Sequence, residues 1–151
     1  MSGQEVTYSK DPLGAAVVQQ FFRRNRWSDF YTIDQLESYL ARALLVASAW
    51  RSGELVGLAV LSGDGRAVVE LSDVCVDREL RRRGIGTRLM KIALEEIERL
   101  NPCTVKVEVF EERTQRFYER FGFRRNAGTW LLEYGPAAER VRERVREVRG
   151  D

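Results

Sequence analysis

The strongest constraint on topology lies mid-chain, where an apolar run from Ala67 to Val76 leads through two close glycines into a helical repeat. Leu89, Ala93, Ile97 and Leu100 recur at intervals of four, four and three residues. That spacing predicts a helix from about Thr87 to Leu100 with one buried stripe. Pro102 ends it, and Val105, Val107 and Val109 then alternate through a strand from Thr104 to Phe110. A strand, a helix with one buried stripe and a second strand form a βαβ crossover, so the two strands should be parallel neighbours.

The flanking sequence supplies the rest of a sheet. A short strand is expected near Val6 to Tyr8. Asp11 and Pro12 read as a helix cap and first helical residue, with Leu13, Val17 and Phe21 at helical spacing to about Arg24. Thr32 and Gln35 have capping-box spacing and open a second helix to about Ala43. Leu44 to Trp50 and Leu55 to Leu61 flank Arg51-Ser52-Gly53-Glu54 and read as a hairpin. Beyond Pro102, a helix over Arg113 to Phe121, a strand over Trp130 to Tyr134, and a charged helix from 136 to 151 with Val141, Val145 and Val148 on one face complete the order. With 151 residues and no linker or repeat, one domain over 1–135 plus that C-terminal helix is expected.

Composition narrows the chemistry. The chain has no histidine, which removes Ser/His/Asp and Cys/His nucleophilic machinery, histidine metal sites and an imidazole base. Its two cysteines, Cys75 and Cys103, lack any CxxC partner, so neither a zinc knuckle nor a disulfide framework is expected. The longest apolar stretch, Ala43 to Trp50, is too short to span a bilayer, and a cytoplasmic location is expected. A net charge of +2 gives no bulk argument for nucleic acid. Of 25 basic residues only Lys10, Lys91 and Lys106 are lysines, leaving 22 arginines; arginine is the side chain best shaped for bidentate phosphate contacts.

Three of those arginines stand at the strand-to-helix junction, in Val74-Cys75-Val76-Asp77-Arg78-Glu79-Leu80-Arg81-Arg82-Arg83-Gly84-Ile85-Gly86-Thr87. Glycines allow close approach to the backbone, and a helix start offers unpaired N–H groups to an anion. The expected ligand is a pyrophosphate. A Walker loop would need a lysine before Thr87, and a dinucleotide fingerprint a third glycine; neither is present.

Arg81-x-x-Gly84-x-Gly86 after Val74-Cys75-Val76 resembles the acetyl-CoA motif of the GNAT superfamily of N-acetyltransferases. Phe117-Tyr118-Glu119-Arg120-Phe121-Gly122-Phe123 resembles a second motif of that superfamily, in the right order. Glu111 and Thr114 stand where the family often has Asn and Ala. The resemblance implies an α/β (α+β) fold with a mixed, mostly antiparallel sheet of six to seven strands, a splayed parallel pair and flanking helices. It implies acetyl-CoA as cosubstrate, held by Val74, Cys75, Val76, Arg81, Arg82, Arg83, Gly84, Ile85, Gly86 and Thr87, with no metal.

Acyl transfer to an amine needs a proton acceptor and relief of charge on the departing thiolate. By resemblance Tyr118 stands near the sulfur. Full proton transfer from a tyrosine of pKa about 10 to a thiolate of about 8.5 is uphill by roughly 2 kcal/mol, so hydrogen bonding is the expected role. Glu70 and Asp73 are the candidate bases, and regular alternation would put them on opposite faces. Cys75 has no evident activating group and is expected to be a buried strand residue. Phe22, Trp27, Phe30 and Tyr31 are the candidate acceptor wall, facing a small-molecule or peptide amine. No nucleic-acid or membrane partner is expected, and the valine-striped tail would allow a homodimer. Two other readings stay open: a non-catalytic acyl-CoA-binding module and an arginine-rich nucleic-acid binder.

Overall fold

Ser52 and Gly53 have φ of 52° and 78°, the pair of positive angles that a type I′ turn needs to match strand twist. This turn joins β2 (Leu45–Arg51) to β3 (Glu54–Gly63). In the computed structural model, which describes residues 5–27, 30–109, 112–125 and 131–149, β1 (Val6–Ser9) pairs with the free side of β2 and β4 (Val68–Val76) with β3, all antiparallel. The turn before β4 is closed by Asp64, whose carboxylate accepts from the backbone N–H groups of Arg66, Ala67 and Val68.

The crossover takes its expected form. Helix α3 (Ile85–Leu100) buries Leu89, Met90, Ala93 and Ile97, and returns the chain to β5 (Thr104–Glu108), parallel to β4. Helix α4 (Glu112–Glu119) follows, then β6 (Phe123–Arg125), which sequence analysis did not anticipate, and β7 (Leu131–Tyr134). The sheet order is β1-β2-β3-β4-β5-β7-β6, seven strands with one parallel pair. Helix α5 (Gly135–Arg149) closes the chain; the side chains of Val141, Val145 and Val148 lie outside the described residues, as do Phe110, Glu111 and Trp130. No helix among the described residues is long and apolar enough to cross a membrane.

Two apolar layers sandwich the sheet. On one face α3 packs on Ala47, Ala49, Leu61, Val69, Leu71, Val105 and Val107. On the other, α1 (Ala15–Asn25) and α2 (Ile33–Arg42) bring Val18, Phe21, Phe22 and Leu36 onto Leu55, Leu58, Val60 and Cys75. The Thr32–Gln35 capping box is formed. The start of α1 differs from expectation: Ser9 Oγ takes the Asp11 N–H at 3.0 Å, and the helix begins after Gly14. Local turn chemistry at Ser9 holds the chain out of helix there, and the helix opens at Ala15, the first buried residue among those described.

Candidate active site

The site is built where β4 departs from regularity. Val60 of β3 faces Asp73, but Leu61 faces Leu71, leaving Ser72 as an unmatched residue. A bulge of this kind reverses the facing of everything beyond it. Asp73 is opposite Val60 and Glu70 opposite Ser62, and Val60 and Ser62 are two residues apart on one strand. Glu70 and Asp73 therefore share the face covered by α1 and α2, contrary to the expectation from simple alternation. Glu70 is exposed and in register with Lys106 of β5. Asp73 is only 6% exposed.

Asp73 collects the aromatic segment. Its Oδ1 accepts from Trp27 Nε1 at 2.8 Å and its Oδ2 from Tyr39 Oη at 2.6 Å; Tyr39 Oη also bonds Ser72 Oγ in the bulge. Trp27 reaches Asp73 because α1 ends in a Schellman turn: Arg26 is left-handed at φ 52°, Trp27 N–H donates to Phe22 O at 2.8 Å and Arg26 N–H to Arg23 O. Burial, and then the charge of Asp73, push the Tyr39 hydroxyl far above its ordinary range. Tyr31 stacks on Tyr39 at 6.0 Å and Phe30 lies against Tyr31 at 4.7 Å. Phe30 is 74% exposed, whereas Phe22 is fully buried and packs in the core behind Tyr31.

On the other side of Asp73 the parallel pair opens. Pairing of β4 with β5 runs from Val68–Thr104 to Leu71–Val107 and stops, while β4 continues to Val76. A cavity of about 320 Å³ lies beside this part of β4. Val74, Cys75 and Val76 line it, with Arg81, Arg82, Gly84, Ile85, Gly86 and Thr87 at one end. Gly84 caps α3 at φ 86° and no side chain caps the helix, so its first N–H groups are left for a ligand. A Cβ on Gly86 would sit 3.4 Å from the Phe117 ring and fill the floor of this cradle. Trp27 also lines the cavity, whereas Arg83, Glu70, Asp73, Phe22, Phe30 and Tyr31 do not.

Helix α4 forms the opposite wall. Tyr118 is buried, with Phe117 edge-on at 5.2 Å and Phe123 at 5.8 Å, and it lines the cavity. Burial, with the charges of Asp73 and Cys75 adding to it, raises the Tyr118 hydroxyl above its ordinary value, so it keeps its proton and can donate a hydrogen bond. Burial also pushes the Cys75 thiol up to about 12. Sequence reading missed Arg113, Phe117 and Arg120, which line the cavity beside Tyr118; their spacing of four and three residues on one helix face was the available signal. Among the described residues no group of three or more Cys, Asp or Glu is placed to hold a metal ion.

A sheet whose parallel pair opens over an uncapped, arginine-flanked helix start, with a buried tyrosine across the same cavity, defines a cleft suited to a long anionic thioester. The sequence matches the Acetyltransferase (GNAT) family over residues 14–123, and the chain belongs to that family. It is 28% identical over 93 residues to YvbK of Bacillus subtilis, described as an uncharacterized N-acetyltransferase; the match covers 60% of this chain and 59% of YvbK. Its fold is shared by a GNAT acetyltransferase of Streptococcus pneumoniae (TM-score 0.70, 29% identity, 80% of this chain and 88% of that one). It is also shared by a GNAT acetyltransferase of Elizabethkingia anophelis solved with acetyl-CoA bound (TM-score 0.60, 15% identity, 85% and 96%).

Proposed function

We propose that this protein transfers the acetyl group of acetyl-CoA to a primary amine, on a small molecule or a peptide, by direct attack within a ternary complex. The observation that carries this reading is the single cavity joining the Gly84–Gly86 helix start to Tyr118. Uncapped N–H groups, two glycines and the guanidinium groups of Arg81 and Arg82 fit a pyrophosphate at one end; an apolar strip from Val74 to Val76 fits an uncharged arm leading to the sulfur. Acetyl-CoA supplies an activated acetyl thioester; the chain supplies placement and charge control.

Tyr118 donates a hydrogen bond to the sulfur as the carbon–sulfur bond breaks. Its raised pKa makes it a persistent donor rather than an acid that gives up its proton. Glu70, exposed on the face it shares with Asp73, takes the amine proton through water. Asp73, held by Trp27 and Tyr39, positions both aromatics between the acceptor side and the cavity. Cys75 is a poor nucleophile: a thiol pushed up to about 12 is ionised to roughly one part in 10⁵ at pH 7. A covalent acetyl-cysteine step is therefore disfavoured relative to direct attack.

The test is steady-state kinetics over a panel of small amines and peptide N-termini, following CoA thiol release and the mass of the acetylated product. Amine-dependent release with intersecting double-reciprocal lines is expected. Parallel lines would refute direct attack. CoA binding with no turnover on any amine would replace the enzyme reading with that of an acyl-CoA-binding module.

A further inference from the structure

The arginines around the cavity exceed what a pyrophosphate requires. Arg81, Arg82, Arg113 and Arg120 all line it, and no Asp or Glu does. Among the described residues none of the four forms an ion pair; the polar contact of Arg81 is to the Val76 carbonyl at 3.4 Å. In a chain with 23 acidic residues against 25 basic ones, four guanidinium groups around one cavity, with no carboxylate partner among the described residues, repel each other unless an anion is present.

Their placement divides them into two pairs. Arg81 and Arg82 belong to the loop that leads into α3 and share the pyrophosphate with its N–H groups. Arg113 lies in the first turn of α4 and Arg120 directly after its last residue, Glu119, both on the opposite wall. The Arg120 guanidinium is stacked 5.3 Å over the Phe117 ring and 5.8 Å from that of Phe121. Phe117 in turn packs against Gly86, its Cζ 3.4 Å from where a Cβ would lie. One aromatic ring thus separates the second cationic pair from the helix start.

We propose that Arg113 and Arg120 form a second anion subsite that takes the ribose 3′-phosphate of CoA. This rests on the acetyl-CoA reading above and deepens it. The 3′-phosphate is joined to the pyrophosphate through the ribose alone, so its location is confined to the neighbourhood of the cradle. As a monoester it carries about −1.5 to −2 at pH 7, and planar guanidinium groups bind such dianions bidentately. The pyrophosphate is satisfied by the α3 N–H groups with Arg81 and Arg82, leaving Arg113 and Arg120 for the remaining charge.

The test compares CoA with dephospho-CoA, which lacks only the 3′-phosphate, by isothermal titration calorimetry. The unaltered protein should bind CoA about tenfold more tightly, the size expected of two exposed arginines on a dianion, and the ratio should shrink with added salt. In the double variant Arg113→Gln/Arg120→Gln the ratio should collapse toward one. Because Arg120 packs on two rings, Arg113→Gln alone is a second measure and should lower the ratio in part; measurable dephospho-CoA binding reports an intact cavity. Equal affinities in the unaltered protein, or a preference that survives in both variants, overturn the subsite and leave the acetyl-CoA reading standing. Absence of binding by either ligand overturns the cofactor reading and the subsite with it.

Discussion

Replacing Asp73 with alanine tests the bulge and its network together. The change removes the acceptor for Trp27 Nε1 and Tyr39 Oη, at 2.8 and 2.6 Å, from a position only 6% exposed. Hydrogen bonds to a charged group are worth about 1.5–3 kcal/mol each. Part of that is offset because a buried carboxylate no longer has to be desolvated. A net loss of about 3 kcal/mol is expected, and for a chain of this size it corresponds to about 10 °C in melting temperature. Asp73→Asn keeps an acceptor for Trp27 and a polar group beside Tyr39, so it should lose about half as much. Thermal unfolding followed by far-UV circular dichroism measures both variants. A double-mutant cycle of Asp73→Ala with Trp27→Phe should give a coupling of about 1 kcal/mol. If the alanine variant melts within about 2 °C of the unaltered protein, or the cycle shows no coupling, the network does not hold Trp27 and the reasoning fails.

Other substitutions separate the remaining parts of the site. Tyr118→Phe should lower kcat about ten- to a hundredfold with little change in KM for acetyl-CoA, since a donor acting on the departing sulfur matters only as the bond breaks; an unchanged kcat refutes the role. Ellman's reagent at pH 8 should react rapidly with exposed Cys103 alone, and with buried Cys75 only after denaturation, because the Cys75 thiol is pushed up to about 12; equal rates for both thiols would contradict that burial. Gly57→Ala should destabilise by about 1–3 kcal/mol, because the added carbon would lie 3.0 Å from Leu89 Cδ1 and 3.1 Å from Ile85 Cγ2. Ile85 opens α3, so CoA affinity should fall as well; unaltered melting and affinity would show that α3 is free to shift.

The parts of this molecule legible in sequence are those set by local patterns. The α3 stripe, the Thr32 capping box, the Ser52-Gly53 turn and the Gly84–Gly86 helix start are each specified within a few residues, and each stands as read. The face shared by Glu70 and Asp73 was not legible, because the bulge at Ser72 is a relation between strands and leaves the apolar alternation of β4 undisturbed. The short outermost strand β6 carries only Phe123 as a buried residue, too little for a period to register. Arg113 and Arg120 were hidden by abundance: among 22 arginines, only the folded arrangement distinguishes those that meet at the cavity.

The early end of the parallel pairing has a further consequence. Past Leu71 and Val107, β4 has a neighbour among the described residues on its β3 side only, which leaves an interior sheet margin with open rungs. Such margins invite another chain to add on, but this one lies inside the cleft, walled by α4 and guarded by arginines. A pantetheine arm carries two amides at roughly peptide spacing and offers the donors and acceptors that such rungs pair with. On this view the cosubstrate completes the fold as a surrogate strand. Enclosure within a cleft is one of the ways a protein keeps such a margin from pairing with another molecule.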